Sequence, residues 1–310
     1  MRDLKVCFMG TPDFARTVLE SIVNAGYNVV LCCCQPDKPV GRKKIITPPP
    51  VKVLAQEKGI DVFQPDSMKT DEAFETISKY EPDLIITAAY GKILPLRVLN
   101  IPSLGCINVH ASLLPKYRGA APVQYAIMNG DAVTGVTIME MDEGMDTGAM
   151  IDKVEVPIDD KIDTETLMAQ LAVAGSKLLI DTLPKYLNGE IIAKTQDNNE
   201  ATICGQIKPD QGVIDWNLDA KKIHDMVRAL TNWPGASTLL DGNKLKIYKT
   251  HLVDEVLDGK PGEIVKAHKK DLFVKCGEGV IAIDELQTAG GKRLQAIDCA
   301  HNFKTGTMLG

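Results

Sequence analysis

Residues 107–127 read "INVHASLLPKYRGAAPVQYAI". An apolar run that begins at Gly105 ends in Asn108 and His110, a Leu-Leu-Pro turn follows, and a helical pattern opens at about 120. Near-continuous apolar runs of this length suit parallel strands buried on both faces. Four more lie outward from this one: "LKVCFMG" (4–10), "NVVLCCC" (28–34), "DLIITAAY" (83–90) and "TGVTIMEMD" (134–142). Amphipathic helical candidates fall at about 12–26, 50–59, 71–80 and 120–129. Alternation of this kind predicts an α/β domain with an open, doubly wound, mostly parallel sheet. Ligands of such sheets bind beyond the carboxyl ends of the strands.

A longer helix is expected over about 163–187, capped by Asp163 or Thr164. The polar, turn-rich stretch 190–204 reads as a linker, dividing a first domain, 1–189, from a second, 205–310. The second domain opens with an amphipathic helix at 219–230 and continues in short alternating strands. Asp241-Gly242 and Pro261-Gly262 are turn signals among them, and the spacing suits a small β-barrel. Residues 35–52, "QPDKPVGRKKIITPPPVK", form too long a connection for an ordinary strand-to-helix turn.

The 310 residues suffice for two domains with ordinary cores. No apolar run is long enough to span a membrane, and the start lacks a signal-peptide pattern, so a cytoplasmic protein is expected. The eight cysteines contain no Cys-x-x-Cys pair and read as buried free thiols. Net charge is −6, unevenly spread: residues 1–204 carry 20 Lys and Arg against 27 Asp and Glu, residues 205–310 carry 15 against 14. A relatively basic second domain permits contact with a polyanion.

Asn108 and His110 are two apart, so in a strand both side chains point to one face. An amide N–H beside an imidazole can hold a developing oxyanion. Alone, an Asn-x-His pair is as easily a hydrogen-bonded turn. The loop "MDEGMDTG" (141–148) brings Asp142, Glu143 and Asp146, and a carboxylate there can orient the imidazole. No serine or cysteine nucleophile is paired with a base, and no phosphate-cradling loop is present. "FMGTPDFA" has one glycine where a dinucleotide fingerprint has three. Asn, His and Asp without a nucleophile suit direct transfer between two bound substrates, with no metal.

"NVHASLLPKYRGAAPVQYAI" followed by "MDEGMDTG" resembles the folate-dependent formyltransferase family. "KVCFMGTPDFA", the 35–52 loop and "VRALTNWPGAS" resemble its branch that acts on initiator tRNA. The resemblance implies a Rossmann-like formyltransferase fold followed by an OB-like β-barrel that binds tRNA. It implies transfer of a formyl group from 10-formyltetrahydrofolate to the α-amine of methionyl initiator tRNA, bound through its acceptor arm. Asn108, His110 and Asp146 match the family's catalytic three. Ser112, Leu113, Leu114 and Pro115 match its folate-binding stretch, and Ala89, Tyr90, Gly91 and Ile93 fall in a loop, 88–95, that lines the pterin pocket with 141–146. Arg42, with Lys43 and Lys44, matches the inserted loop that reaches the tRNA. Membrane and DNA are not expected partners. Other acceptors within the family (an amino-sugar nucleotide, a small ribotide or water) fit the catalytic three equally, and the 35–52 loop disfavours them. A non-catalytic RNA-binding protein on the same fold is the remaining alternative.

Overall fold

The computed structural model describes residues 4–41 and 43–310. They group into two compact units. The first comprises residues up to 122, 133–157 and 168–204; the second comprises 123–132, 158–167 and 205–310. The segment 190–204, expected as a linker, thus belongs to the first unit.

In chain order the first unit runs β1 (Lys5–Gly10), α1 (Asp13–Asn24), β2 (Asn28–Cys33), β3 (Lys38–Val40), β4 (Ile45–Thr47), α2 (Pro50–Glu57), β5 (Val62–Phe63), α3 (Asp71–Lys79), β6 (Leu84–Ala88), α4 (Leu96–Leu99), β7 (Cys106–His110) and β8 (Arg118–Gly119). Then come α5 (Pro122–Met128), which beyond Pro122 belongs to the second unit, β9 (Val133–Glu140), β10 (Met150–Pro157), α6 (Thr164–Leu187), whose residues up to Leu167 also belong to the second unit, and β11 (Ile203–Cys204). Seven strands form one sheet in the order β10-β9-β7-β6-β1-β2-β5. The strands from β7 through β6, β1 and β2 to β5 are parallel. Every residue of β6 is buried, as a central strand covered on both faces requires. Burying side chains such as Leu84, Ile85 and Ile86 contributes roughly 1.5–3 kcal/mol each. Helix α1 buries Phe14, Ala15, Val18, Leu19 and Ile22, one helical stripe. Helix α3 is capped by Thr70, whose hydroxyl accepts from the Ala73 N–H.

Two features differ from expectation. Strand β9 runs antiparallel to β7, with His110 opposite Thr137 and Ile107 opposite Glu140. A strand buried on both faces carries the same apolar run whichever way it points, so direction was not readable. The structure also adds the antiparallel edge strand β10, whose alternation Lys153-Val154-Glu155-Val156 is a strand signal. The 35–52 connection contains the β3–β4 hairpin, with Val40, Ile45 and Ile46 exposed. Its base is tied by Lys52 to Asp37 (2.8 Å) and by the Gln64 amide to Asp37 Oδ1 (2.8 Å). The Lys52 hydrogen bond, then that from Gln64, holds the Asp37 carboxyl below its ordinary range.

The second unit continues with α7 (Ala220–Ala229), β12 (Ala236–Leu240), β13 (Asn243–Val253), β14 (Ile264–His268), β15 (Asp271–Lys275), β16 (Val280–Gln287), β17 (Arg293–Gln295) and α8 (Ala296–Cys299). Its strands are antiparallel, in the order β12-β13-β16-β15-β14, with β17 on β16. Met308 and Leu309 bridge to Glu263, beside β14, and to Leu240 in β12. The chain end therefore joins both edges and closes the sheet as a barrel, which leaves no open edge there. The turn at Asp241-Gly242 joins β12 and β13 with both residues at positive φ, as a tight hairpin needs. Among the described residues no helix is long and apolar enough to cross a membrane.

Candidate active site

Strand β7 places Asn108 and His110 on one face, as the two-residue spacing predicts. The neighbouring strand β6 fixes the amide: the Thr87 hydroxyl donates to Asn108 Oδ1 at 2.8 Å. The Asn108 Nδ2 group is thereby turned outward and faces Asp146 Oδ1 at 3.4 Å. An amide nitrogen has two hydrogens. The second has no protein acceptor among the described residues and is free to meet a substrate oxygen. His110 is 6% exposed, so its ring is fixed rather than solvated. Its Nε2 lies 3.0 Å from the Tyr117 carbonyl, and its Nδ1 lies 3.6 Å from Asp146 Oδ1. The second distance is too long for a hydrogen bond.

The direction of β9 sets how Asp146 reaches this face. Because β9 is antiparallel to β7, its carboxyl end lies beside Cys106, where the Met141 N–H meets the Cys106 carbonyl. The loop 141–149 then returns over the sheet face and brings Asp146 to Asn108 and His110. The site therefore lies over β7, not only beyond its end. Asp146 adopts φ +55°, which an aspartate tolerates better than most residues. Its Oδ2 accepts the Gly119 N–H at 2.8 Å. Gly119 itself has φ +127°, and a Cβ there would lie 2.1 Å from the Cys204 carbonyl oxygen, so only glycine fits where β8 meets β11. Burial pushes the Cys204 thiol up, and the Asp146 charge adds to this.

The other predicted residues divide. Ser112 is fully buried, and its hydroxyl donates to the Lys116 carbonyl at 2.7 Å. Leu114 is buried too, and its N–H donates to Thr137 Oγ1. These two build the Leu-Leu-Pro turn, while Leu113 packs toward Gly135 and Pro115 follows through a cis peptide bond. Tyr90 is buried, its hydroxyl meets the Met68 sulfur, and burial pushes its phenol well above the ordinary range. Ala89, Gly91 and Ile93 are exposed around it, and Ile93 at 77% offers an apolar surface. Lys43 and Lys44 are exposed at the turn of the β3–β4 hairpin; Arg42 lies outside the described residues. All eight cysteines are buried and free. Burial, and then Cys33, pushes the Cys34 thiol up to about 12, which keeps it inert as a nucleophile. Among the described residues no group of three or more His, Cys, Asp or Glu is placed to hold a metal ion.

Three contributors escape the sequence reading: Thr87, the Gly119 N–H and Gln196. Arg118, next to Gly119, is 5% exposed. Its Nε and Nη2 donate to Gln196 Oε1 (3.0 Å) and Asn198 Oδ1 (2.9 Å), neutral amide acceptors. A polar run such as "TQDNNEA" signals a turn and nothing more, so no local pattern pointed to Gln196.

Residues 4–183 match the formyl transferase family model, and residues 206–304 match that of the formyl transferase C-terminal domain. The chain belongs to the formyl transferase family. A formyltransferase relative, the methionyl-tRNA formyltransferase of Macrococcus caseolyticus, is 47% identical over 94% of this chain and 93% of its own length. Two solved structures share the fold of this formyltransferase. HypX from Aquifex aeolicus in complex with tetrahydrofolic acid has a TM-score of 0.66 at 18% identity, covering 94% of this chain and 46% of that one. The N-formyltransferase from Helicobacter canadensis, solved with folinic acid and dTDP-3-aminofucose, has a TM-score of 0.67 at 18% identity, covering 92% of this chain and all of that one.

Proposed function

We propose that this chain transfers the formyl group of 10-formyltetrahydrofolate to the α-amine of methionyl initiator tRNA, in the cytoplasm. The observation that carries the reading is the convergence of Asn108, His110 and Asp146 on one face, in a chain 47% identical over 94% of its length to a methionyl-tRNA formyltransferase.

The chemistry follows from the atoms present. An α-amine with a pKa near ~8 has a usable neutral fraction at neutral pH. It attacks the formyl carbon, and the formyl oxygen becomes an oxyanion. In this reading the Asn108 N–H and the His110 ring stabilise it. Asp146 accepts the proton lost by the attacking nitrogen, directly or through a water. Collapse restores the carbonyl, breaks the bond to N10 of the folate and returns a proton to that nitrogen. Formyl and one hydrogen exchange places, and no oxidant or metal enters the balance. Ala89, Tyr90, Gly91 and Ile93, with the Ser112–Pro115 turn, form the folate wall. Arg42, Lys43 and Lys44 contact phosphates near the acceptor end, and residues 205–310 hold the tRNA. Contacts to phosphates release counterions, so binding weakens as salt rises.

The test is formylation of methionyl initiator tRNA by wild type, His110→Ala and an Arg42/Lys43/Lys44→Ala triple variant. The expected result is loss of transfer in His110→Ala, and in the triple variant a raised KM for tRNA with folate binding intact. Wild type that ignores the tRNA but formylates an amino-sugar nucleotide overturns the acceptor and keeps the chemistry.

A further inference from the structure

We infer that Gln196 is a positioning residue for the Asp146 carboxylate, acting as a clamp from the segment that leads into the C-terminal unit. The inference rests on the proposed role of Asp146.

Gln196 is 5% exposed and uses both ends of its amide. Its Nε2 group donates to two carbonyls of the returning loop, Asp146 O and Gly148 O, each at 2.8 Å. Its Oε1 accepts from Arg118 Nε at 3.0 Å. Arg118 is the residue before Gly119, whose N–H donates to Asp146 Oδ2 at 2.8 Å. One carboxamide thus joins the backbone that carries the carboxylate to the strand that holds the carboxylate's oxygen. Asp146 cannot shift relative to Asn108 and His110 without breaking one side of this loop of contacts.

The clamp is itself anchored on both flanks. Lys194 and Met150 exchange two backbone hydrogen bonds at 2.8 Å. Asn198 Oδ1 accepts from Arg118, and Thr202 Oγ1 accepts from the Tyr117 N–H at 2.8 Å. Asp146 needs such a frame, because a non-glycine residue at positive φ is held there by its surroundings. The long contacts from Asp146 to Asn108 and His110 leave its direction to these neighbours. A misplacement near 1 Å at a reacting group can cost on the order of 10²-fold in rate.

Two substitutions separate the clamp from plain filling. Gln196→Ala removes all three hydrogen bonds. Gln196→Glu keeps an acceptor for Arg118 but turns a carboxylate oxygen, in place of two N–H donors, toward the Asp146 and Gly148 carbonyls. Kinetics are measured below each variant's melting temperature, with Asp146→Asn as the reference. If Gln196 positions Asp146, both variants lose about 10–100-fold in kcat, with KM for folate and tRNA within about twofold of wild type. Adding Gln196→Glu to Asp146→Asn then costs less than about threefold more, because the two act as one unit. Wild-type kcat in Gln196→Glu, or penalties that multiply in the double variant, overturns the clamp while leaving Asp146 catalytic. Wild-type kcat in Asp146→Asn overturns the catalytic reading itself.

Discussion

Among the described residues two histidines are buried beside acidic neighbours, and their surroundings differ. His110 and His224 are 6% and 7% exposed. His224 lies on α7 with both ring nitrogens engaged, Nδ1 with Thr250 Oγ1 at 2.9 Å and Nε2 with the Asp160 carbonyl at 2.7 Å. Beside it Asp225, 2% exposed, pairs with Arg228 at 2.8 Å and Lys221 at 2.8 Å. Arg228 in turn donates to the Asp159 and Ile162 carbonyls. Lys221, His224, Asp225 and Arg228 follow helical spacing, so one face of α7 holds the 158–163 segment by charge and hydrogen bonds. Around His110 the satisfaction is incomplete. Asp146 has no Lys or Arg partner among the described residues, Nδ1 stands 3.6 Å from it, and an Asn108 N–H is left over. Burial alone does not mark a catalytic group. Donors with capacity to spare are what the site proposed around His110 has and His224 lacks.

The largest effect that sharpens this contrast is expected from Asp225→Ala. Removing one partner of a buried ion pair strands the other, at about 3–5 kcal/mol. Calorimetry should show a markedly lower melting transition, while kcat at low temperature stays near wild type; an unshifted melting temperature breaks the contrast. Asn108→Ala should behave inversely. Losing one oxyanion donor is expected to lower kcat by on the order of 10²–10³-fold, roughly 3–4 kcal/mol, with melting close to wild type. A large loss of stability there would assign Asn108 a structural part instead.

The smallest effect concerns the start of α7. The Asp219 carboxylate accepts the Lys222 N–H at 2.7 Å, and this bond foremost holds its carboxyl below the ordinary range. A depressed folded value means that the contribution is fully present above the unfolded range, near pH ~4, and is lost as pH falls through the folded value. Asp219→Ala should therefore cost about 1 kcal/mol at neutral pH. Denaturant titrations across pH should find the gap to wild type closing in acid; a gap that widens there contradicts the cap.

The expected helices correspond to α1, α2, α3, α5, α6 and α7, with ends shifted by a few residues, because apolar stripes and caps are local properties. Asp163, for example, accepts from the Thr166 N–H at the start of α6, one of the two caps expected there. Asn108 and His110 were legible as a pair because strand periodicity alone puts them on one face. Asp146 was legible by its motif, but the path that delivers it was not. The antiparallel turn of β9 leaves no trace in a run buried on both sides.

By itself the sequence determined which segments could be strands and helices, and which three side chains resemble a formyltransferase site. Those properties depend on residues a few positions apart. Only the tertiary structure decided that 190–204 belongs to the first unit, that residues 308–309 close the barrel, and that Thr87, Gly119 and Gln196 orient Asn108 and Asp146. These contacts join residues 21, 27 and 50 positions apart. At such separations chain folding, not local pattern, sets who meets whom.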